Sequence, residues 1–302
     1  MRIVKKSIKI FFFLVLSIII LGSGFTFLYG EKIEQIILSK IREKSEAEIK
    51  VKEVNFSVFE NFPYASIKLT DVLIMEKLPN INDSLLYAKQ VYLQFNIFNL
   101  LSENQEISKV VLLNSKLNIK YDMNGNPNFK IFKPPKEKEK EKKVKINQIY
   151  FNDSKISYIH QLKNIDIKGE PHKVLVDFEE YKQTDFSVNG DFFMQNLVVG
   201  ETDYIYKKEC KIDAGFSVSD EVFYIKNSAL FIEDVQFSLA GEIEGKNVNL
   251  DISAENQKVK SVLSHMPKKF KSVCSSFTAD GDLSCKGIIK GEISKTSNPH
   301  FD

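Results

Sequence analysis

Alternation of apolar and polar residues with a period of two recurs along this 302-residue chain and leaves it few folds. "KNVNLDISAE" sets Val248, Leu250 and Ile252 against Asn247, Asn249, Asp251 and Ser253, and "DVQFSLAGEIEG" sets Val235, Phe237 and Leu239 against Gln236, Ser238 and Ala240. "LLYAKQVYLQFNIFNLL" sets Val91, Leu93, Phe95 and Ile97 against Tyr92, Gln94 and Asn96. Side chains alternate across a pleated strand, so these stretches are strands buried on one face and wet on the other, as in antiparallel sheets. The expected fold is mainly β and antiparallel.

The interruptions define its units. "IKVKEVNFSVF" slips at Lys52 and Glu53, which predicts a bulge or register change, and Pro63 in "NFPYASIKL" belongs at an edge or turn because it lacks a donor. Asn124-Gly125 marks a tight turn. "ISKVVLLNSKLNIKYD" from Ile107 resembles "INQIYFNDSKISYIHQ" from Ile146, with "VFYIKNSALFIED" from Val222 a looser copy, so the hairpins read as a repeat. Spacing of three and four predicts two short helices. One carries Ile33, Ile36, Ile37 and Ile41; the other carries Val259, Val262, Leu263 and Met266, ends near Pro267, and reads as a cap or lid on the sheet.

The N-terminus reads differently. Residues 8–29, "IKIFFFLVLSIIILGSGFTFLY", form an apolar run of about the twenty residues needed to cross a hydrocarbon core as a helix. Arg2, Lys5, Lys6 and Lys9 lie at its start, which places the N-terminus in the cytoplasm and the bulk of the chain across the membrane. A cleaved signal peptide is the competing reading, but "GSG" is a poor cleavage site. The expected organisation is a basic tail at 1–7, a membrane anchor at 8–29, and a first β region with a short N-terminal helix at 30–132. A charged loop, "KPPKEKEKEKK", follows at 133–143, then a β-repeat region at 144–302. Another strand is expected after "SNPHFD", so the chain reads as truncated at its C-terminus.

Composition excludes several classes of function. A net charge of +2, with lysine and glutamate interspersed, offers no basic face for nucleic acid. No phosphate loop, nucleophile elbow or paired catalytic carboxylates appear, so no enzyme and no cofactor are expected. "DGDLSCKG" at Asp280 lacks the last glutamate of a calcium loop and reads as a hairpin turn. His160, His172, His265 and His300 stand singly and read as surface or rim residues rather than metal ligands. The three cysteines, Cys210, Cys274 and Cys285, leave open a disulfide between the last two or unpaired thiols.

In order and pattern, the anchor, the short helix, "NFPYASIKLTDVLI", "DSLLYAKQVYLQFNIFNLL" and "ISKVVLLNSKLNIKYDMNGNPNF" resemble the N-terminal region of the AsmA family (AsmA/TamB-like) of bacterial envelope proteins. "VNLDISAENQKVKSVLSHMP" followed by "DGDLSCKGIIKGEI" is similar to that family's strand, helix, proline and Gly-rich strand order. The resemblance implies an inner-membrane-anchored periplasmic protein whose repeating, chorein-like β-groove, with short capping helices, carries phospholipid toward the outer membrane. Val91, Leu93, Phe95, Val235, Phe237, Leu239, Val248, Leu250 and Ile252 are the candidates for lining the groove. Members are usually longer, so transport across the whole envelope by this chain alone is not implied. Alternation alone describes a closed sandwich core equally well. A non-catalytic periplasmic scaffold that binds an outer-membrane assembly or secretion partner by its sheet edges is the alternative.

Overall fold

The computed structural model describes residues 39, 45–61, 64–78, 83–96, 106–133, 145–179, 185–219, 222–266, 280–292 and 300–301. The chain is mainly β, and its strands join in one 15-stranded sheet. The first strands are β1 (Ile49–Lys50), β2 (Glu53–Asn61), β3 (Tyr64–Met75), β4 (Ser84–Asn96) and β5 (Glu106–Tyr121). Then come β6 (Lys145–Asn152), β7 (Lys155–His160), β8 (Ile165–Phe178), β9 (Asp185–Val199) and β10 (Thr202–Ser219). The last are β11 (Val222–Ile232), β12 (Val235–Glu244), β13 (Asn247–Lys258), β14 (Asp282–Glu292) and β15 (His300–Phe301). From β8 onward every strand pairs with its successor in the chain, a meander of long hairpins.

The expected slip at Lys52–Glu53 is a break between β1 and β2, both of which pair with β3. The repeat has a geometric meaning. Its first two copies, β5 and the pair β6–β7, lie side by side, with Ile107 opposite Ile146 and Leu117 opposite Ile156. They run parallel, which corrects the wholly antiparallel expectation. Short hairpins force antiparallel neighbours, whereas residues 122–144 between β5 and β6 are long enough to return the chain to the same end. Each copy breaks at a left-handed residue, Asn114 (φ 48°) and Asp153 (φ 47°). Beside them the buried Ser115 and Ser154 hydroxyls meet at 2.8 Å, so equivalent residues of the two copies pair with each other.

Three cross-strand ladders carry the core. The first runs Phe56, Ile67, Leu93, Val110, Ile149, Val176, Val188 and Ala214. The second runs Val54, Leu69, Val91, Leu112, Phe151, Val174, Gly190, Ile212, Leu230 and Phe237. The third runs Phe178, Phe186, Phe216, Ile225, Gly241, Leu250 and Ile289. Paired residues share a face, so one apolar face extends without interruption from β2 to β14.

The sheet is not flat. Lys163, in the turn after β7, donates to the carbonyl of Gly245, in the turn after β12, at 3.1 Å. By register these turns lie at opposite strand ends, since Ile165 aligns through Val199 with Thr202, at the start of β10, and Glu244 through Val222 with Ser219, at its end. Only a strongly rolled sheet brings them together.

Residues Val259–His265 form the expected short helix, α1. No helix among the described residues is long and apolar enough to cross a membrane. Residues 8–29 and the helix expected over Ile33–Ile41, apart from the helical Ser39, lie outside the described residues, as do residues 134–144.

Candidate functional site

The apolar face is the dominant chemical feature of the sheet. The sheet path from β2 to β14 takes eleven steps. At about 4.8 Å per step the face is roughly 53 Å long. Every large packing contact between elements is between sheet neighbours or between α1 and β13, so no second layer covers the face among the described residues. Even so, Val91 is only 6% exposed and Leu112 7%. In a single layer such shelter requires neighbouring side chains to close over them, which places the apolar face on the inside of the roll.

All nine residues expected to line a groove lie on this face. Val91, Leu93 and Phe95 sit on β4 and alternate in position; Leu93 and Val91 join the first two ladders, and Phe95 lies opposite Ala65. Val235, Phe237 and Leu239 follow on β12, with Val235 opposite Ile232 and Leu239 opposite Ile252. Val248, Leu250 and Ile252 share that face of β13. Their burial separates them. Val91, Val235 and Val248 are buried and form the floor, whereas Leu93, Phe95, Phe237, Leu239, Leu250 and Ile252 stay partly open to a ligand.

Sequence reasoning missed an aromatic cluster on the same face. Phe186 lies 5.7 Å from Phe178 and 5.2 Å from Phe216, and Phe216 lies 5.3 Å from Phe223, ring centre to ring centre. All four are half-buried. The alternation in "TDFSVNG" and "AGFSVS" was a signal for it, but the cluster exists only because β8, β9, β10 and β11 are neighbours.

Two glycines stand within the ladders. A Cβ on Gly190 (φ 147°) falls 2.0 Å from the carbonyl oxygen of Lys173, and one on Gly241 (φ 139°) falls 2.2 Å from that of Asn249. Both strands approach their neighbours more closely there than any side chain permits, as sharp bends in a sheet require.

Polar side chains form networks of their own. At the β3 end, the side chain of Glu76 is wholly buried and is met by Lys120 Nζ at 3.3 Å and Asn128 Nδ2 at 2.9 Å. The hydrogen bond from Lys120, which lies 2.7 Å from Asp83, holds the Asp83 carboxyl below its usual range. His160 stacks on Tyr121 at 4.6 Å and is buried, which corrects its reading as a surface residue; desolvation lowers its pKa. His265 also departs from the rim reading, with a side chain only 5% exposed. Both corrections have one cause, that neighbouring strands and turns supply the cover and a single strand's pattern does not record it.

Cys210 sits on the apolar face opposite Ile232 and Phe192, and burial pushes its thiol up to about 11. Cys285 is a free, exposed thiol, and Cys274 lies outside the described residues. A maleimide at neutral pH is therefore expected to modify Cys285 in the folded chain and to reach Cys210 only after denaturation, as peptide mass mapping would read directly. Labelling of Cys210 at the same rate as Cys285 would show that the face opens freely.

No family model matches the chain, nor does any curated protein or solved structure.

Proposed function

We propose that this chain is a membrane-anchored, non-enzymatic protein of the bacterial cell envelope that holds phospholipid acyl chains along the inside of its rolled sheet and conducts them toward the outer membrane. The observation that carries the reading is the continuous apolar face from β2 to β14, with no covering layer among the described residues. A core needs a partner layer, whereas a carrier leaves its greasy face for cargo. Each methylene kept from water there is worth about 0.8 kcal/mol, so an acyl chain moves along the face without the penalty of solvation. Partly open Leu93, Phe95, Phe237, Leu239, Leu250 and Ile252 are the side chains that meet the cargo. The apolar run at 8–29 is the inner-membrane anchor, with its N-terminus in the cytoplasm and the sheet in the periplasm, in keeping with the ordered resemblance to AsmA-type proteins.

The test is photocrosslinking in cells with p-benzoylphenylalanine at Phe237, Leu250 or Phe186, and at Gln236 or Asn249 on the opposite face. Phospholipid adducts at the first three positions and none at the last two are expected. Introducing Leu93→Glu beside Phe237→Glu is expected to abolish the adducts at Phe186, because a carboxylate in an acyl-chain path is costly to desolvate. Adducts only to protein on the apolar face would overturn the proposal.

A second reading keeps one observation of its own. β15 pairs with β14 only at Ile289 and Lys290, so among the described residues Asp282–Ile288 have no strand on that side. Such an edge suits a scaffold that binds an outer-membrane or periplasmic partner by strand addition, and benzoylphenylalanine at Lys286 would then capture a protein.

A further inference from the structure

The turn between β11 and β12 meets the end of α1 through side chains that the lipid reading does not use. Asp234 accepts hydrogen bonds from the Ser261 hydroxyl and, at 2.8 Å, from His265 Nε2. Aspartate carboxylates are ionised at neutral pH and offer only acceptors. A carboxylate can only accept here, so Nε2 carries the proton, and in the neutral ring Nδ1 is then a bare lone pair. That Nδ1 is buried without a hydrogen-bond partner, on an imidazole only 5% exposed, and it lies 3.5 Å from Glu233 Oε2. Two acceptors therefore face one another across a gap that favours a cation.

We propose that His265 Nδ1 and the Glu233 carboxylate bind a divalent transition-metal ion of the zinc class, with Asp234 fixing the ring from behind. Zinc bonds of about 2.1 Å to nitrogen and 2.0 Å to oxygen span a 3.5 Å separation at an angle of roughly 117°, near the tetrahedral value, so the spacing of the two atoms suits the ion. Water completes the shell. Asp234 has the role that carboxylates take behind metal-bound histidines, orienting the imidazole and raising its basicity. Imidazole as a ligand selects zinc over magnesium or calcium, which prefer oxygen shells. One opposing charge is present. Lys208 Nζ lies 2.9 Å from Glu233 Oε2, and its partly exposed side chain must swing outward as the ion enters.

That competition makes the test two-sided. Zinc chloride is titrated into the full-length chain in detergent and followed by calorimetry, and cobalt(II) substitution is read from its visible absorption. One equivalent is expected to bind, with a tetrahedral cobalt spectrum, and magnesium is expected to produce no heat. His265→Gln and Glu233→Gln each abolish the site, Asp234→Asn weakens it about 10- to 100-fold, and Lys208→Met tightens it. Circular dichroism confirms that each variant is folded. Binding unchanged in folded His265→Gln and Glu233→Gln, or no stoichiometric binding to the parent, overturns the proposal. Weakening by Lys208→Met would likewise overturn the competition on which it rests.

Discussion

Replacing Gly190 by alanine is expected to destabilise the sheet more than any other single methyl group added to it. Gly190 stands in the second ladder between Val174 and Ile212, at φ 147°, where L side chains are strained. The added carbon falls 2.0 Å from the Lys173 carbonyl oxygen and 2.7 Å from Val174 Cα, so backbone and not a pliable side chain must give way. Separating β8 from β9 there disturbs one of the longest strand pairings among the described residues. A loss of about 3 kcal/mol or more is expected, beyond the range of ordinary substitutions. Gly245 supplies the comparison. It too has positive φ, 56°, but nothing lies within 4 Å of a Cβ placed there. Gly245→Ala should cost only about 1 kcal/mol, the strain of the left-handed conformation alone. Urea denaturation of the full-length chain in detergent, followed by circular dichroism, separates the two; equal midpoints for both variants would show that the close approach at Gly190 is relaxed in solution.

Asn128→Ala is expected to have an effect of comparable size, by a different route. Asn128 is 0% exposed; its Oδ1 accepts from Lys120 N at 2.9 Å, while its Nδ2 donates to Asn118 O at 2.8 Å and to Glu76 Oε2 at 2.9 Å. Truncation leaves a buried backbone donor and acceptor bare and removes one of two donors from a carboxylate already wholly buried, whose Oε1 has no hydrogen-bond partner. Each stranded group costs about 1–3 kcal/mol, so a total near 4 kcal/mol is expected. Lys120→Met should be comparable, because it leaves Glu76 without its cation. The double variant Glu76→Gln with Lys120→Met should recover part of the loss, since the buried charge goes with its partner. If that double variant is less stable than Lys120→Met alone, the pair contributes little and the packing of the 127–132 segment accounts for the stability. The network ties this segment to the β3 end, where Lys77 N bonds Asn128 O and Glu46 N bonds Ile131 O.

Much of the sheet was legible because the pleat repeats every two residues and the sequence follows it. The alternation in Val235–Leu239 and Val248–Ile252 placed those side chains on one face of their strands, and the register puts them with Val91, Leu93 and Phe95 on one face of the whole sheet. The short helix at Val259–His265 was equally legible, from its spacing of three and four before a proline. The similarity between the segments from Ile107 and Ile146 pointed to equivalent strands. Their parallel pairing did not follow from it, because direction depends on where the intervening chain travels. Likewise nothing local marked His160 or the side chain of His265 as buried. Tyr121 covers one, and the Glu233–Asp234 turn meets the other across a separation of about thirty residues.

What the sequence by itself determined is therefore the element type and the apolar side of each strand, since both follow from steric periodicity between near neighbours in the chain. Strand order, the parallel seam, the roll that brings Lys163 to Gly245, the phenylalanine cluster and the unpartnered, buried His265 Nδ1 were decided by tertiary structure alone. Each depends on contacts between residues far apart in the chain, and their free energy is set by packing and desolvation in three dimensions rather than by any repeat along the sequence.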